Sequence, residues 1–375
     1  MTKNIAYINH TFEDNAFSSG GEKVNFQILK ALIENFEVDI YFVNNKLEGD
    51  YNIKNFYQMP EENFLQNALQ IANSKNYDAT ISTNFAIPTD IVYLHEHSRA
   101  YREKIVKTPF ENLISSIFSA KRHKRSQFEM EAQKELISQY NVILTPSSVL
   151  KNDLINLLGA DGKNIYILPP CIDNTLENIE PQSEKRVFTF GLIARGFDNK
   201  GGYIFLNALG RLKKYNPKFR AKIIYPYEKT GLFLRLYLKL FGLENRVEFI
   251  KYQPDMNNFY TNIDCLVMPS KRETFGLGTL EAMSFGKIVV ISSRCGAKDI
   301  IEHNKNGFVF DITKKPDKNL ANVLKDILDK QNDLDNLKMA ALYTAKEYNF
   351  EKFKSELERI INNFSRTKQE DSDIE

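Results

Sequence analysis

Short apolar runs alternate with amphipathic stretches along this chain, and the alternation runs through twice. The first series is "IAYI", "KVNFQILKALIENF", "EVDIYFV", "YDATIST", "DIVYLH" and "NVILTP". The second follows "NIYILPPCID" and the polar segment "NTLENIEPQSEKR", and reads "VFTFGLI", "AKIIYPY", "RVEFI", "DCLVMPS" and "KIVVIS". A strand covered by helices on both faces has no solvent side to mark with polar residues, so such runs read as parallel strands with crossover helices. The expected class is α/β, with two Rossmann-like domains: residues 1–175 and 186–345, joined by a linker near 174–186. The stretch "FEKFKSELERIINNF", within 346–364, is expected as a helix crossing back to brace the first domain. Residues 365–375, which include "TKQEDSDIE", are expected as a disordered tail.

A chain of 375 residues with 42% apolar content can bury the cores that two domains need. Its most hydrophobic window, "GLFLRLYLKLFGL" from Gly231 to Leu243, is interrupted by Arg235 and Lys239 and is too short to cross a bilayer. "MTKNIAYINH" reads as a buried first strand rather than a signal peptide. Fifty basic residues against 48 acidic ones give no field on the scale that nucleic acid requires. The cysteines Cys171, Cys265 and Cys295 are odd in number and widely spaced, which argues against a disulfide framework and for a reducing cytoplasm. Function must then rest on local sites.

One such site is "KRETFGLGTLEAMSFG", residues 271–286, which follows the strand "CLVMPS" and opens a helix. In open parallel sheets ligands bind beyond the carboxyl ends of the strands, and the free N–H groups of a helix start suit a phosphate. Glu273 precedes the turn, Gly276 permits close approach, and Glu281 lies about one turn into the helix on the same side. Two acceptors flanking an anion site match a nucleotide sugar, whose sugar and ribose hydroxyls lie on either side of a diphosphate. A lone Glu281 is as readily a solvated helix residue. The stretch "VFTFGLIARGFDNKGG" repeats the strand-to-loop pattern with Arg195 and Lys200, two fixed cations able to neutralise a departing diphosphate without a metal. Taken singly, each is an ordinary surface charge.

Five stretches in order carry a resemblance. They are "SGGEKV", "VYLHEHS", "PPCID", "GLIARGFDNKG" with its Arg-x4-Lys spacing, and "ETFGLGTLEAMSFG" with E-x7-E. Through them the chain, to about Phe364, resembles the retaining glycosyltransferases of family 4, with the GT-B fold of two Rossmann-like domains facing each other across a cleft. The resemblance implies Arg195 and Lys200 on the diphosphate, Glu273 on the donor sugar and Glu281 on the ribose. It also implies backbone amides of Phe275, Gly276 and Leu277 on sugar and phosphate, and Gly20 and Gly21 as a glycine loop near the leaving group. His95 falls where these enzymes carry an active-site histidine, with His97 its substitute. The implied reaction moves a sugar from a UDP- or GDP-linked donor to a hydroxyl of a glycan, lipid-linked or protein acceptor, with no cofactor and no metal. Same-face attack, assisted by the leaving phosphate, is the mechanism the family suggests, and bacterial cell-surface polysaccharide or glycoconjugate synthesis the setting. Three departures stand out: Gly21 directly precedes Glu22, Ile288 replaces a common proline, and "CGAKD" replaces a Gly-Gly-x-x-Glu stretch.

His95 and His97, two apart on an extended chain, could also pair on a metal, but no third ligand has recognisable spacing. The "DSD" at Asp371–Asp373 follows no strand and is not read as a metal motif. Two rival readings use the same fold: a sugar-nucleotide epimerase or hydrolase, and a catalytically silent subunit of a glycosylation complex. A dinucleotide oxidoreductase would need a G-x-G-x-x-G after the first strand, which is absent. Finally, Phe110, Leu113, Ile114, Ile117 and Phe118 form a helical stripe followed by Lys121, Arg122, Lys124 and Arg125. That segment reads either as a helix packed on the first sheet or as a contact with the inner face of the cytoplasmic membrane in the acceptor domain.

Overall fold

In a computed structural model, the residues described are 2–13, 20–46, 55–74, 76–95, 131–172, 187–215, 218–225, 231–251, 256–330 and 334–372. The linker at 174–186, His97, and the segment with Lys121, Arg122, Lys124 and Arg125 lie outside them. The chain divides into two units, Met1–Cys171 with Phe350–Glu375, and Ile172–Asn349.

The first unit contains β1 (Asn4–Ile8), β2 (Thr11–Glu13), α1 (Gly20–Asn35), β3 (Glu37–Phe42), β4 (Asn44–Lys46), β5 (Asn55–Gln58) and α2 (Phe64–Ala72). It continues with β6 (Ala79–Ser82), β7 (Ile91–Tyr93), β8 (Val142–Thr145), α3 (Ser148–Leu158) and β9 (Ile165–Ile167). Its main sheet has seven parallel strands in the order β5-β3-β1-β6-β7-β8-β9. The central strands are buried on both faces, as their unbroken apolar runs require. β2 and β4 form a small pair of their own.

The second unit contains β10 (Thr189–Ile193), α4 (Gly202–Leu212), β11 (Arg220–Tyr225), α5 (Leu232–Phe241), β12 (Val247–Lys251), α6 (Asn257–Thr261) and β13 (Cys265–Met268). After these come α7 (Leu277–Ser284), β14 (Ile288–Ser292), β15 (Phe308–Phe310), α8 (Pro316–Asp329) and α9 (Asp335–Glu347). Six parallel strands run β12-β11-β10-β13-β14-β15. Counted from β10 this is the doubly wound order 3-2-1-4-5-6, whose winding reverses between β10 and β13. The two quoted motifs follow those two strands, so both open at the point of reversal.

The helix expected within 346–364 is α10 (Phe350–Ser372), and it belongs to the first unit. Phe353, Leu357, Ile360 and Ile361 are buried with Ile28, Leu29 and Leu32 of α1 and Tyr93 of β7. The tail expected to be disordered from residue 365 is helical as far as Ser372. Ser365 is buried, and the Lys368 ammonium pairs with Asp90 at 3.1 Å, so these turns have tertiary partners. Their charges, read as a sign of disorder, sit on a helix whose other side is apolar.

Candidate functional site

Two loops meet where the second sheet reverses, and glycine lets them. Gly201, the N-cap of α4, has φ +74°, and a Cβ there would stand 1.9 Å from the Pro269 carbonyl oxygen. The loop after β10 therefore lies backbone against backbone on the loop after β13. A second cross-link joins them: Lys271, buried, donates from Nζ to Asp198 Oδ1 at 2.8 Å and Oδ2 at 2.9 Å, and its backbone N–H reaches the Asn199 carbonyl at 2.9 Å.

On this base Lys200 donates from Nζ to Glu273 Oε2, which brings together two residues that the sequence reading placed in separate motifs. Desolvation alone would lower the Lys200 pKa, but the Glu273 carboxylate outweighs it and holds the ammonium above the ordinary lysine value. Lys200 is thus fixed and cationic, and with three donors it can hold Glu273 and an anion together. Arg195, five residues earlier on the same loop, is exposed to solvent.

Glu273 is held from behind by the segment that departs from the usual family pattern. Its N–H donates to the Arg294 carbonyl at 3.1 Å and its carbonyl accepts from Gly296 N–H at 2.9 Å, while Ala297 N–H reaches the Phe275 carbonyl at 2.7 Å. "CGAKD" is therefore a mould for the Glu273 loop. Gly276 follows with φ +94°, and a Cβ on it would meet Cys295 Sγ at 3.0 Å and Glu273 Cγ at 3.1 Å. Its left-handed backbone turns the chain into α7, whose first amides have no partner within the helix. The Phe275 ring is buried, so Phe275 can offer only backbone to a ligand here, while Leu277 is half-buried. Beneath them the Cys295 thiol donates to the Phe275 carbonyl at 3.0 Å, and burial, with Glu273 adding to it, pushes its pKa up to about 12.

Glu281, one turn into α7, accepts from the Tyr260 hydroxyl at 2.5 Å. Tyr260 is fully buried, so this bond sets the carboxylate's direction from the core side. Neither Tyr260 nor the Asp198–Lys271 bridge was read from the sequence. Asp198 and Lys271 stand inside the quoted motifs, but only the strand order makes neighbours of residues 73 apart.

The remaining expected residues lie in the first unit. Gly20 and Gly21 open α1 rather than forming a loop before it. A Cβ on Gly21 would come within 2.6 Å of the His95 Cδ2 and Nε2 atoms, so the helix start rests on the imidazole. His95 follows β7, and its ring lies 6.4 Å from that of Tyr93. His10 and His303 have structural settings: His10 packs edge-on to Phe64, and His303 Nδ1 accepts from Val309 N–H at 3.1 Å.

Part of the sequence matches a known family, and the fold has solved counterparts. The sequence model of the family described as "Glycosyl transferases group 1" matches residues 174–342. The D-inositol 3-phosphate glycosyltransferase of Paenarthrobacter aurescens (strain TC1) is 25% identical over 216 residues, 53% of this chain and 52% of the relative. The chain thus spans about half the length of that relative. Among solved structures, Anabaena HepE in complex with UDP aligns with a TM-score of 0.72 at 17% identity, covering 96% of this chain and 100% of that one. WaaG, a glycosyltransferase involved in lipopolysaccharide biosynthesis, aligns with a TM-score of 0.70 at 16% identity, covering 95% of this chain and 99% of that one. Likeness at such identities speaks for the fold, and the matched segment contains both loops of the site. Residues 174–342 thus match the sequence model of the glycosyl transferases of group 1, in a chain whose fold is GT-B.

Proposed function

We propose that this protein transfers a sugar from a nucleotide diphosphate donor, UDP- or GDP-linked, to an acceptor hydroxyl, with retention at the anomeric carbon and no bound metal. The observation that supports it most is the Lys200–Glu273 pair at the sheet's point of reversal, with Arg195 on the same loop. In this reading the bond from the anomeric carbon to the diphosphate breaks and the electron pair leaves with the phosphate oxygen. Arg195 and Lys200 stabilise that charge, together with the open amides at the start of α7. The acceptor oxygen bonds to the same face of the sugar, and its proton passes to the departing phosphate. Glu273 accepts from donor sugar hydroxyls while it orients Lys200; Glu281, aimed by Tyr260, accepts from the ribose.

Gly20, Gly21 and His95 are read as ligand-facing residues of the acceptor domain. UDP is the first nucleotide to try, since HepE was solved with it. A role in cell-surface polysaccharide or glycoconjugate synthesis is in keeping with the description of WaaG. The acceptor is a glycan, lipid-linked or protein hydroxyl, and the stripe and cations of residues 110–125 are read as a contact with the inner face of the cytoplasmic membrane.

Thermal unfolding with UDP-, GDP- and ADP-sugars tests the donor. A ligand at a hundred times its Kd adds about 2.7 kcal/mol and a visible rise in Tm. No rise with any donor at millimolar concentration defeats the assignment. With the stabilising donor and an acceptor, NMR of the product reads the anomeric configuration, and an inverted centre excludes the retaining mechanism. Turnover in EDTA should match turnover without it; a strict need for Mn²⁺ excludes the metal-free reading.

A further inference from the structure

We propose that the outer face of α5 (Leu232–Phe241) docks on an anionic lipid bilayer. A crossover helix on a Rossmann-like sheet ordinarily has one apolar side, turned to the core, and a polar side turned to water. This helix has two apolar sides. Leu234 and Leu238 are buried in the core of the second unit, together with Leu206, Leu209 and Phe219. On the other side Leu232, Phe233, Leu236 and Leu240 stand 74%, 67%, 56% and 80% exposed. At about 100° per residue these four fall within roughly 100° of arc. Exposed apolar residues scattered singly are ordinary, whereas four large ones in one stripe mark an interaction surface.

Charge decides what covers it. Arg235 and Lys239 stand exposed along one shoulder of the stripe, and no acidic residue occurs between Gly231 and Gly242. At the helix's C-terminal end the Lys213 ammonium sits against Gly242. A surface that is apolar beneath and anionic above satisfies both features, with the leucines among the acyl chains and the cations at the headgroup phosphates. A second copy of the same face would bring cation against cation.

The surface also borders the candidate site. The Phe233 ring lies 6.4 Å from that of Tyr203, and Tyr203 lies edge-on at 5.1 Å to Phe197, between Arg195 and Lys200.

Co-sedimentation of the full chain with vesicles tests this, and reads lipid binding independently of sugar transfer. Vesicles containing phosphatidylglycerol should bind the protein at low salt and release it at high salt. Vesicles of phosphatidylcholine alone should bind at least about tenfold less. The variant Leu232→Ser/Leu236→Ser/Leu240→Ser, with residues 110–125 intact, should lose binding by at least about tenfold while keeping its unfolding transition, because the replaced groups are exposed. Arg235→Gln/Lys239→Gln should weaken binding about fivefold for each cation, and carries the test alone if the serine variant does not fold. Three results overturn the proposal: no binding to anionic vesicles at low salt, binding that neither variant weakens, or a wild-type dimer in equilibrium sedimentation that the serine variant dissolves. The last of these assigns the face to a second copy.

Discussion

Gly201 admits no side chain, because a Cβ would stand 1.9 Å from the Pro269 carbonyl oxygen and the residue's φ is positive. Gly201→Ala should cost about 2 kcal/mol or more and abolish the rise in Tm with the donor, because it pries apart the two loops that hold Lys200 and Glu273. Gly196→Ala, five residues earlier, has nothing within 4 Å and no positive φ, and should leave both readings unchanged. An equal loss at Gly196 would show that general loop flexibility, not backbone contact, sets the effect. Arg195→Ala and Lys200→Ala test the charges themselves, with turnover falling about 10²- to 10³-fold while the far-UV spectrum stays intact. Near-normal turnover in both would end the assignment. Cys295 gives a pH signature. Its pKa is pushed up to about 12 from the 9.0 of an exposed thiol, so between those values the folded chain keeps a proton that the unfolded chain has lost. That contribution to stability is fully present below about pH 9 and drains away as pH rises toward 12. Denaturation curves of Cys295→Ala across that window should fall less steeply than those of the wild type; parallel curves would refute the burial argument.

The elements that sequence reading found are those whose burial leaves a mark in the chain. Strands β13 and β14 are buried at every position, so "CLVM" and "IVVIS" stand out as unbroken apolar runs. β5 is an edge strand with mostly exposed side chains, and "NFYQ" gives no comparable signal. β15, only "FVF", is too short to show a period. In the site, Arg195, Lys200, Glu273 and Glu281 were legible because their spacing sits on strand-to-helix turns. The partners that orient them, Tyr260, Arg294 and Gly296, were not, since they come from α6 and from the segment after β14. α10 belongs to the first unit, as expected, and runs past the expected end at residue 364 because an apolar stripe underlies its charges. Leu357, buried against α1 and the first sheet, offers a measure of that packing. Leu357→Ala should destabilise the first unit by about 2–5 kcal/mol, seen as an earlier first transition in urea. A loss below 1 kcal/mol would mean that α10 only rests on the surface.

At the scale of the whole molecule, the doubled alternation was enough to foresee two Rossmann-like units, since each series must close its own core. The assignment of residues 350–372 to the first unit, expected from the C-terminal stretch "FEKFKSELERIINNF", is a matter of which apolar faces remain uncovered. That assignment orders events during synthesis. The second unit is one continuous stretch, Ile172–Asn349, and every residue of its core has been made when Asn349 emerges. The first unit begins earlier but lacks Phe353, Leu357, Ile360 and Ile361 until the ribosome has passed them, so a face of its sheet stays open while the whole second unit is translated. At about 5–20 residues per second that interval lasts on the order of ten seconds or more. The half of the chain that is made first is thus completed last, and in that window its uncovered apolar side chains are open to off-pathway contacts.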